Sequence, residues 1–477
     1  MSDPSATWSL ALKRFGFGAR GAAAPPSGDP RAAIEAELAA FGAGRLEEPG
    51  LMSSEKTLVA FYEYNTEQNE ARAKADALRG ATTAMPAPAV AAAMISPGGD
   101  AKPAEKPPNP INDIFAAESL ARIKAAAAPA VGYTERLVAF WSNHFCISAA
   151  KGGPVRILAG AFEREAIRPY VLGKFADMLQ AVERHPAMLH YLDNAQSVGP
   201  DSPAGRNGKR GLNENLAREI MELHTLGVGG GYVQADVTEF ARALTGWSVV
   251  GPDGRLGPPG AFVFNANAHE GGARPLLGRS YEDQGFAQGR AMLDDLARSP
   301  ATAQHIAAKF ARAFVADEPP PPLVAHLADV FAKTDGDLGA LARALVADDL
   351  AWSAPATKLR DPWEMCIAAV RALNLDSHPS QRIAHWLNLL GMPLWSPGEP
   401  NGFPDVAAAW VSPAGVKARL EVAAVIGKSA KDAPAPKDLL ERVAPDASAE
   451  TREAVLHAES RAQSYALLIM APEFQRR

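Results

Sequence analysis

The hydrophobic residues of this chain recur mostly at three- and four-residue intervals, the spacing of amphipathic helices that pack against a core. The pattern is strongest from 213 to 247, where the sequence reads NENLAREIMELHTLGVGGGYVQADVTEFARALTGW. Two helices joined by a glycine-rich turn account for this stretch. The glycines, from Gly227 to Gly231, follow a helix rather than a strand and lack the Gly-Lys-Ser/Thr ending of a phosphate-binding loop. They therefore predict a helix end and a turn.

In the first of these helices, a helical wheel of about 100° per residue separates an apolar stripe from a polar line. The stripe consists of Leu216, Ile220 and Leu223, and the polar line beside it consists of Asn215, Glu219 and Glu222. His224 falls on the opposite flank of the same wheel. Glu222 and His224 are therefore badly placed to bind one metal ion from a single helix.

The helical periodicity covers most of the remaining chain. We predict further helical segments at about 6–20, 30–42, 54–79, 113–128, 133–148, 154–170, 174–184, 284–298, 301–316, 322–333, 337–348, 361–374, 379–391, 413–428, 437–443, 447–458 and 460–470. The exception is a pair of short β-prone runs around a Gly/Pro-rich turn, which predicts a hairpin. The predicted fold class is mainly α, a multi-helical globular bundle with a minor β-hairpin near 248–266.

An Ala/Pro-rich stretch interrupts the helical pattern from 81 to 112. This composition buries little apolar surface and is typical of an extended loop or linker. It divides the chain into an N-terminal helical segment (1–80), the linker or loop (81–112) and a main helical domain (113–477).

Composition excludes several classes of partner. Of the 477 residues, 47% are hydrophobic and 21% are charged, which is typical of a soluble globular protein. The formal net charge is −6 and the Lys and Arg residues are scattered, so we expect neither nucleic acid nor a membrane as a partner. No signal peptide and no run of about eighteen apolar residues is visible, so we expect a cytoplasmic protein, with export left open.

The two cysteines, Cys146 and Cys366, lie far apart and inside helical patterns. Neither belongs to a Cys-x-x-Cys pair, which excludes a zinc site made of thiolates and argues against a disulfide framework. We predict that both are buried free thiols.

The polar line of the first helix carries the main chemical hypothesis. Two carboxylates one turn apart beside a core are costly unless each is paired. Glu219 and Glu222 are therefore candidates for catalysis, together with the imidazole of His144 or His224 and the guanidinium of Arg218 or Arg242. The alternative is that both carboxylates pair with arginines of neighbouring helices in a purely structural network.

Other polar residues have a structural interpretation beside the functional one. His144 lies in the middle of an apolar face, where a histidine is either a core residue or, near carboxylates, a base or ligand. Asn213 suits the N-cap of the first helix, and Asp236 suits the first turn of the second. Arg242 lies opposite the apolar stripe of the second helix, so it needs a further layer of structure to reach a site.

Several motifs together resemble the bacterial family called domain of unknown function 1800. They are RFGFGA near the start, FWSNHF at 140–145, the run from 213 to 247, the region of His269, LGMPLWSPGEPNGFP at 390–404, and MAPEFQRR at the end. The family pattern usually has His-Asp where this chain has His269-Glu270, and a tryptophan near Phe403. These departures leave the role of Glu270 open.

The resemblance implies a helical bacterial protein, and it supplies no activity. It implies one possible partner, a sulfatase-like protein of the uncharacterised family 1501, whose genes often accompany those of this family. The family's motif residues map here to His144, Asn213, Glu214, Asn215, Arg218, Glu219, Glu222, His224, Asp236, Arg242, Thr245, Gly246, Trp247 and His269. Their polar character suggests one shared site.

Three functional hypotheses follow. The first is an enzyme that works by acid–base or divalent-metal chemistry, with candidate catalytic residues His144, Arg218, Glu219, Glu222 and His224 and candidate binding residues Asn213, Asn215, Asp236, Arg242, Trp247 and His269. The second is a binding or assembly protein whose polar cluster is structural. The third is a haem oxidoreductase, because LHYLDNAQSVG and NENLAREIMELHTL are faintly similar to two segments of animal-type haem peroxidases. The histidine spacing differs from theirs, so haem is the weakest of the three.

Overall fold

The computed structural model of the protein describes residues 4–23, 27–83, 109–206, 208, 211–375 and 378–477. Over these residues the predicted mainly helical class is confirmed, because helices are accompanied by no more than two small two-stranded antiparallel sheets. Most of the predicted linker, residues 84–108, lies outside the described ranges. None of the helices in the described part is long and apolar enough to cross a membrane.

The N-terminal helices begin where the sequence places caps and prolines. They are α1 (Pro4–Arg14), α2 (Pro30–Leu38), α3 (Ser54–Thr83) and α4 (Pro110–Ala127). The side chain of Asp29 accepts the Arg31 N–H at the start of α2, and Asn109 does the same for Ile111 at the start of α4. In both helices proline occupies the first position, where its missing N–H costs nothing.

The middle of the chain contains two turns of π-helix. Its elements are α5 (Tyr133–His144), α6 (Gly153–Phe162), a π-helical turn (Glu163–Ile167), α7 (Phe175–Arg184), α8 (Pro186–Tyr191), α9 (Asn215–Glu219), a second π-helical turn (Ile220–His224) and α10 (Gln234–Ala243). The glycines after the second π-helical turn form the predicted turn, with positive φ at Gly227, Gly229 and Gly231. π-Helical turns are rare and occur often at functional sites.

The predicted hairpin is confirmed, and a second one was missed. Strand β1 (Trp247–Val249) pairs antiparallel with β2 (Phe262–Phe264), and β3 (Arg274–Leu276) pairs with β4 (Arg279–Tyr281). The second turn has φ of 50° at Leu277 and 78° at Gly278, the two positive values of a type I′ turn. Leucine rarely adopts such a φ, so the sequence carries no turn signal there. The Leu277 N–H donates to Asp236 Oδ1 (2.9 Å), which stabilises the turn.

The second half of the chain is helical. Its elements are α11 (Phe286–Ala297), α12 (Pro300–Phe314), α13 (Pro321–Lys333), α14 (Leu338–Ala347), α15 (Asp349–Ser353), α16 (Pro362–Leu373), α17 (Ser380–Leu389), α18 (Pro413–Ser429), α19 (Pro436–Val443), α20 (Ala449–Leu456), α21 (Arg461–Met470) and α22 (Pro472–Gln475). Helix α16 begins with a capping box, in which Asp361 and Glu364 each accept the other's backbone N–H. This box lies at the edge of the site described below.

The core contains buried arginines as well as apolar side chains. Arg371 on α16 donates to the carbonyl oxygens of Gly18, Ala127, Pro129 and Ala130, and thereby holds together the segments that follow α1 and α4. Buried guanidinium groups are tolerated when such acceptors satisfy their N–H groups. These bonds connect the N-terminal segment with the helices of the second half.

Candidate functional site

The π-helical turn at Ile220–His224 changes which residues of the first motif helix face the core. An i→i+5 hydrogen-bond pattern rotates each later residue relative to a regular helix. Leu216 and Ile220 are fully buried as predicted, but Leu223 is only partly buried, and Met221 takes its place in the core. The predicted apolar stripe is therefore wrong at its last position, and His224 is turned into the protein interior.

His224 forms a buried pair with a carboxylate that the sequence did not single out. Its Nδ1 lies 2.8 Å from Glu183 Oε1, and both side chains are almost completely buried. A carboxylate oxygen accepts hydrogen bonds, so Nδ1 is the donor of this one. The pair holds the orientation of the ring between α7 and the π-helical turn.

His144, at the end of α5, contacts His224 through the backbone. Its Nε2 lies 3.1 Å from the carbonyl oxygen of His224, and the two ring centroids are 6.2 Å apart. A carbonyl oxygen can only accept, so Nε2 carries the hydrogen and Nδ1 presents a lone pair. Within the described residues Nδ1 has no hydrogen-bond partner. Burial, and then the nearby charge of Lys309, hold the pKa of His144 well below its usual value, so the ring is neutral.

A third histidine, His305 on α12, stands 6.3 Å from His144 between ring centroids. Its Nε2 donates to the carbonyl oxygen of Leu223 (3.1 Å), and burial followed by Lys309 lowers its pKa to about 4. The three histidines form a cluster in which burial lowers the pKa of His144 and of His305. Among the residues that the structure describes, no three His, Cys, Asp or Glu side chains are arranged so that they could hold one metal ion.

His144 also lines a cavity of about 110 Å³. The cavity lies between α5, α12, the first turn of α16 and the segment 392–410. Its Phe and Trp lining residues are Phe140, Phe162, Phe314, Trp363, Trp395, Phe403 and Trp410, and its charged ones are Arg122, Arg136, Glu163, Lys309, Lys358, Asp361, Glu364, Asp405 and Arg477. A cavity of this volume holds several water molecules or a small ligand.

Glu163, in the first π-helical turn, is the centre of one paired network in the wall. Its Oε2 is 2.9 Å from Arg122 Nε and accepts from Trp395 Nε1 (3.1 Å), while Oε1 accepts from Arg168 Nε (3.0 Å). Burial opposes ionisation, but the two guanidinium groups outweigh it and lower the pKa of Glu163. The Arg122 guanidinium packs between the rings of Trp363 and Trp395, 4.5 and 5.1 Å from their centroids.

Glu364, at the start of α16, is the centre of a second paired network. Arg477 binds it through two hydrogen bonds, from Nε to Oε2 (2.7 Å) and from Nη2 to Oε1 (2.8 Å). Arg136 Nη1 lies 2.5 Å from Oε1. Burial opposes ionisation here too, but Arg136 and Arg477 lower the pKa of Glu364 to about 2. Two arginines that line the same cavity therefore neutralise the charge of Glu364.

Two other lining groups have unusual environments. Asp361 accepts the backbone N–H of Glu364 (2.8 Å), and burial together with the Glu364 carboxylate raises its pKa to about 6. Burial lowers the pKa of Lys309. Arg122, Arg136 and Arg477 have carboxylate partners, and Lys358 pairs with Asp317 (2.8 Å). Lys309 has no ion pair or hydrogen bond with any described residue, and Asp405 acts on it only from a distance.

Cys146 also lines the cavity. Its thiol donates to the carbonyl oxygen of Pro400 (3.1 Å), and burial raises its pKa to about 12. Both cysteines are buried and free, as predicted. Cys146 is therefore a protonated, weakly nucleophilic thiol at neutral pH.

The sequence of this helical scaffold matches a known family over nearly its whole length. Residues 10–476 match the family described as "Protein of unknown function (DUF1800)". The chain belongs to the DUF1800 family. No curated protein and no solved structure matches it. The resemblance seen in the motifs is thus confirmed, and membership adds no activity to this DUF1800 chain.

The motifs that carried the resemblance do not all meet at the cavity. FWSNHF supplies His144, the segment 390–404 supplies Trp395 and Phe403, and the terminal motif supplies Arg477. Of the candidate residues chosen from the sequence, His144 lines the cavity, and His224 approaches it through its backbone carbonyl. The other candidates of this DUF1800 protein lie elsewhere.

Three of these candidates stabilise the ends of the motif helices. Asn213 Oδ1 accepts the backbone N–H of Asn215 (2.9 Å) at the start of α9, although the N-cap position predicted for Asn213 is occupied by Glu214. Asp236 Oδ2 accepts the Val233 N–H (2.9 Å) at the start of α10. Arg218 donates to Glu214 (3.0 Å) near the surface.

Glu219 and Glu222 have no side-chain hydrogen bond or ion pair within the part of the chain that is described. Glu219 is half-buried, and burial raises its pKa while the nearby His224 opposes the shift. Glu222 is partly exposed. Two arrangements were expected for Glu219 and Glu222, ion pairs with arginines of neighbouring helices or a pocket shared with the other candidate residues. Neither is found around these two carboxylates among the described residues.

The remaining candidates belong to a separate network around the two hairpins. Arg242 pairs with Glu239 (2.6 Å), and His269 Nδ1 lies 3.0 Å from the carbonyl oxygen of Thr245. Trp247 is fully buried in the core at the start of β1. This network fits the structural interpretation better than a site.

Sequence reasoning missed Lys309 and Asp361. Lys309 follows His305 by four residues on α12, so one helical face presents both side chains, and this spacing was a usable signal. Asp361 in the segment RDPWE has the pattern of a capping box, which gives no hint of a cavity beside it.

Proposed function

We propose that this protein is an enzyme that binds a small anionic molecule in the cavity and carries out acid–base chemistry on it. The observation that carries the proposal is the partnerless Nδ1 of His144 in a wall that also contains Lys309, a cation without an ion pair. A desolvated ammonium group without a counter-ion is costly, and an anionic ligand would neutralise it.

In this proposal His144 is the general base. A neutral imidazole whose Nε2–H is held by the His224 carbonyl has one free lone pair, at Nδ1. This atom would accept a proton from a ligand in the cavity. A positioned base of this kind contributes on the order of 10²- to 10⁴-fold to a rate.

Asp361 is the second acid–base group of the proposal. With a pKa of about 6 it exchanges a proton close to neutral pH, whereas Glu364 beside it, with a pKa of about 2, stays ionised. Two carboxyl groups whose environments separate their pKa values in this way are typical of acid–base sites. The capping bond from Glu364 N–H fixes the position of Asp361.

The ligand would be small and partly flat. The volume of about 110 Å³ limits its size, and the rings of Phe403 and Trp410 offer apolar surfaces. The arginines of the wall are already paired with Glu163 and Glu364. An anionic group on the ligand would therefore be directed to Lys309.

Binding of anions tests the proposal. We would measure the Tm of the full chain with millimolar small carboxylates and phosphates, and with uncharged analogues of equal size. We expect the anions alone to raise Tm, because a ligand that binds only the folded state stabilises it. The effect should be lost in Lys309→Met and retained in Lys333→Met, whose exposed lysine pairs with Asp329 on the surface.

Two results would contradict anion binding at Lys309. They are an equal response to charged and uncharged analogues, and an unchanged response in Lys309→Met. We would repeat the measurement with a chelator and record the metal content and absorption spectrum of the protein. An effect that vanishes with the chelator would favour the divalent-metal hypothesis, and a Soret band would favour the haem hypothesis.

Binding without catalysis is the second candidate function. It is favoured by the two fully paired networks around Glu163 and Glu364, which stabilise the cavity whether or not chemistry takes place. Hydrogen–deuterium exchange at the acidic C–H of a bound ligand separates the two candidates. Catalysed exchange that is lost in His144→Gln supports the enzyme, and binding with no exchange supports the binding protein.

A further inference from the structure

Lys309 differs chemically from every other cation in the wall of the cavity. The guanidinium groups of Arg122, Arg136 and Arg477 do not lose their protons in proteins. Lys358 has an ion-pair partner in Asp317, 2.8 Å away. Lys309 has no such partner among the described residues, so it can become a neutral amine without breaking an ion pair.

We propose that Lys309 is a reactive amine that forms an imine with a carbonyl-containing ligand in this cavity. The inference rests on the proposed function, because it uses the same cavity and refines the substrate class to a small oxo acid or an aldehyde acid. Lysines that form imines are characteristically desolvated and free of a salt bridge. Lys309 has no ion pair with any described residue, is only partly exposed, and has a pKa that burial lowers.

The surroundings of Lys309 make it easier for its ammonium group to release a proton and become the reacting amine. Burial lowers its pKa, and Arg312 acts in the same direction. Asp405 and the Cys146 thiol oppose this shift, but they do not outweigh the burial. The neighbouring histidines, His144 and His305, are neutral because their own pKa values are lowered.

The first step of the reaction forms a carbon–nitrogen bond. The lone pair of the Lys309 amine attacks the carbonyl carbon, and the carbonyl oxygen takes up a proton and becomes a hydroxyl group. The nitrogen loses one proton to the bare Nδ1 of His144, which passes this proton on to the carbonyl oxygen, so the imidazole is neutral again at the end of the step. The product is a carbinolamine, and the step needs neither an oxidant nor a reductant.

The second step breaks the carbon–oxygen bond. The hydroxyl group takes a proton, for which Asp361 is the donor, and leaves as water while the nitrogen lone pair forms the C=N bond. One water is released for each imine. The protonated imine carries a positive charge next to the ligand carboxylate, so the ion pair that Lys309 lacks in the free protein forms within the adduct.

Reductive trapping tests the inference. The full chain would be incubated with glyoxylate or pyruvate and sodium borohydride, and the intact mass and the peptide map would be measured. We expect about one adduct per chain, located on Lys309. Adducts spread over surface lysines such as Lys333, or no adduct at all, would overturn the inference.

Two variants separate this inference from the proposed function. Lys309→Arg keeps the positive charge, so we expect it to bind acetate or lactate while it forms no trapped adduct. Lys309→Met should lose both properties. If wild-type protein binds these anions but traps no oxo acid, the imine fails and the proposed function stands. If it neither binds nor traps, both fail. Mapping of the wild-type adduct remains decisive even if a variant does not fold.

Discussion

The Nε2–H of His144 donates to the backbone carbonyl of His224, 3.1 Å away, and this one contact decides the chemistry of the imidazole. Because the carbonyl oxygen cannot donate, the hydrogen stays on Nε2, and Nδ1 keeps a lone pair that has no hydrogen-bond partner among the described residues. The carbonyl comes from the π-helical turn Ile220–His224. The motif from 213 to 247 therefore acts on the cavity through its backbone, while its carboxylates lie apart from it.

We expect His144 to remain a neutral Nε2–H tautomer while the pH falls through the range in which an exposed histidine becomes protonated. Burial and the charge of Lys309 hold its pKa well below the usual value, so the unprotonated form persists where an exposed histidine is charged. Nitrogen-15 NMR of the imidazole distinguishes the tautomers and the imidazolium ion. Protonation near pH 6.5 would contradict the neutral base.

The free energy of unfolding should fall as the pH drops from about 6.5 to about 4. His305 has a folded pKa of about 4, below its value in the unfolded chain, so the unfolded state binds more protons in this window. The contribution of His305 to stability is fully present above the pKa of the unfolded chain, and it is lost as the pH falls to the pKa of the folded protein. After a discount for partial exposure, His305 contributes on the order of 1–2 kcal/mol. Urea unfolding at pH 7.5 and 4.5 measures it.

His305→Gln is the matched variant for this acid effect. Its side-chain N–H can still donate to the Leu223 carbonyl, but it does not titrate. We expect a smaller loss of stability between pH 7.5 and pH 4.5 than in the wild type. An identical loss would show that His305 does not contribute to the acid sensitivity.

The fold was largely predictable, and its errors have identifiable causes. Helices followed from apolar spacing, and the first hairpin followed from β-prone runs around a Gly/Pro-rich turn. The hairpin β3–β4 was missed because Leu277, a residue that disfavours positive φ, occupies its turn. The exposure of Leu223 was mispredicted because a π-helical turn changes the rotation per residue, which a regular helical wheel does not represent.

The site was less predictable than the fold. His144 was found because it is a polar residue in an apolar face. Lys309, Asp361 and Glu163 were not, because each looks in sequence like an ordinary charged residue on a helix. Their roles depend on burial and on partners that are far away along the chain, such as Trp395, which donates a hydrogen bond to Glu163. Such long-range pairings are set by tertiary packing, which periodicity does not encode.

Asp361→Asn should become more stable relative to the wild type as the pH rises from 5 to 8. The folded pKa of Asp361 is about 6, above its value in the unfolded chain, so the wild type loses stability as the pH rises from the unfolded pKa to the folded one, and the loss is complete above about pH 6. Asparagine caps a helix as well as aspartate does and carries no charge. The gain at pH 8 should be about 1–2 kcal/mol by urea unfolding. Asp361→Ala, which loses the cap, should instead cost about 1 kcal/mol.

Glu163→Gln should destabilise the protein by about 3–5 kcal/mol, because it leaves the buried guanidinium groups of Arg122 and Arg168 without their shared counter-ion. The control is Glu222→Gln, whose carboxylate makes no ion pair within the described residues and is partly exposed. We expect that change to stay within about 0.5 kcal/mol. Urea unfolding of both variants at pH 7.5 gives the comparison. A large loss of stability in Glu222→Gln would support the ion pairs with arginines of neighbouring helices that were predicted for the motif helix. A partly exposed carboxylate without an ion pair would not stabilise the protein by so much. A small loss in Glu163→Gln would mean that the wall of the cavity does not depend on its ion pairs.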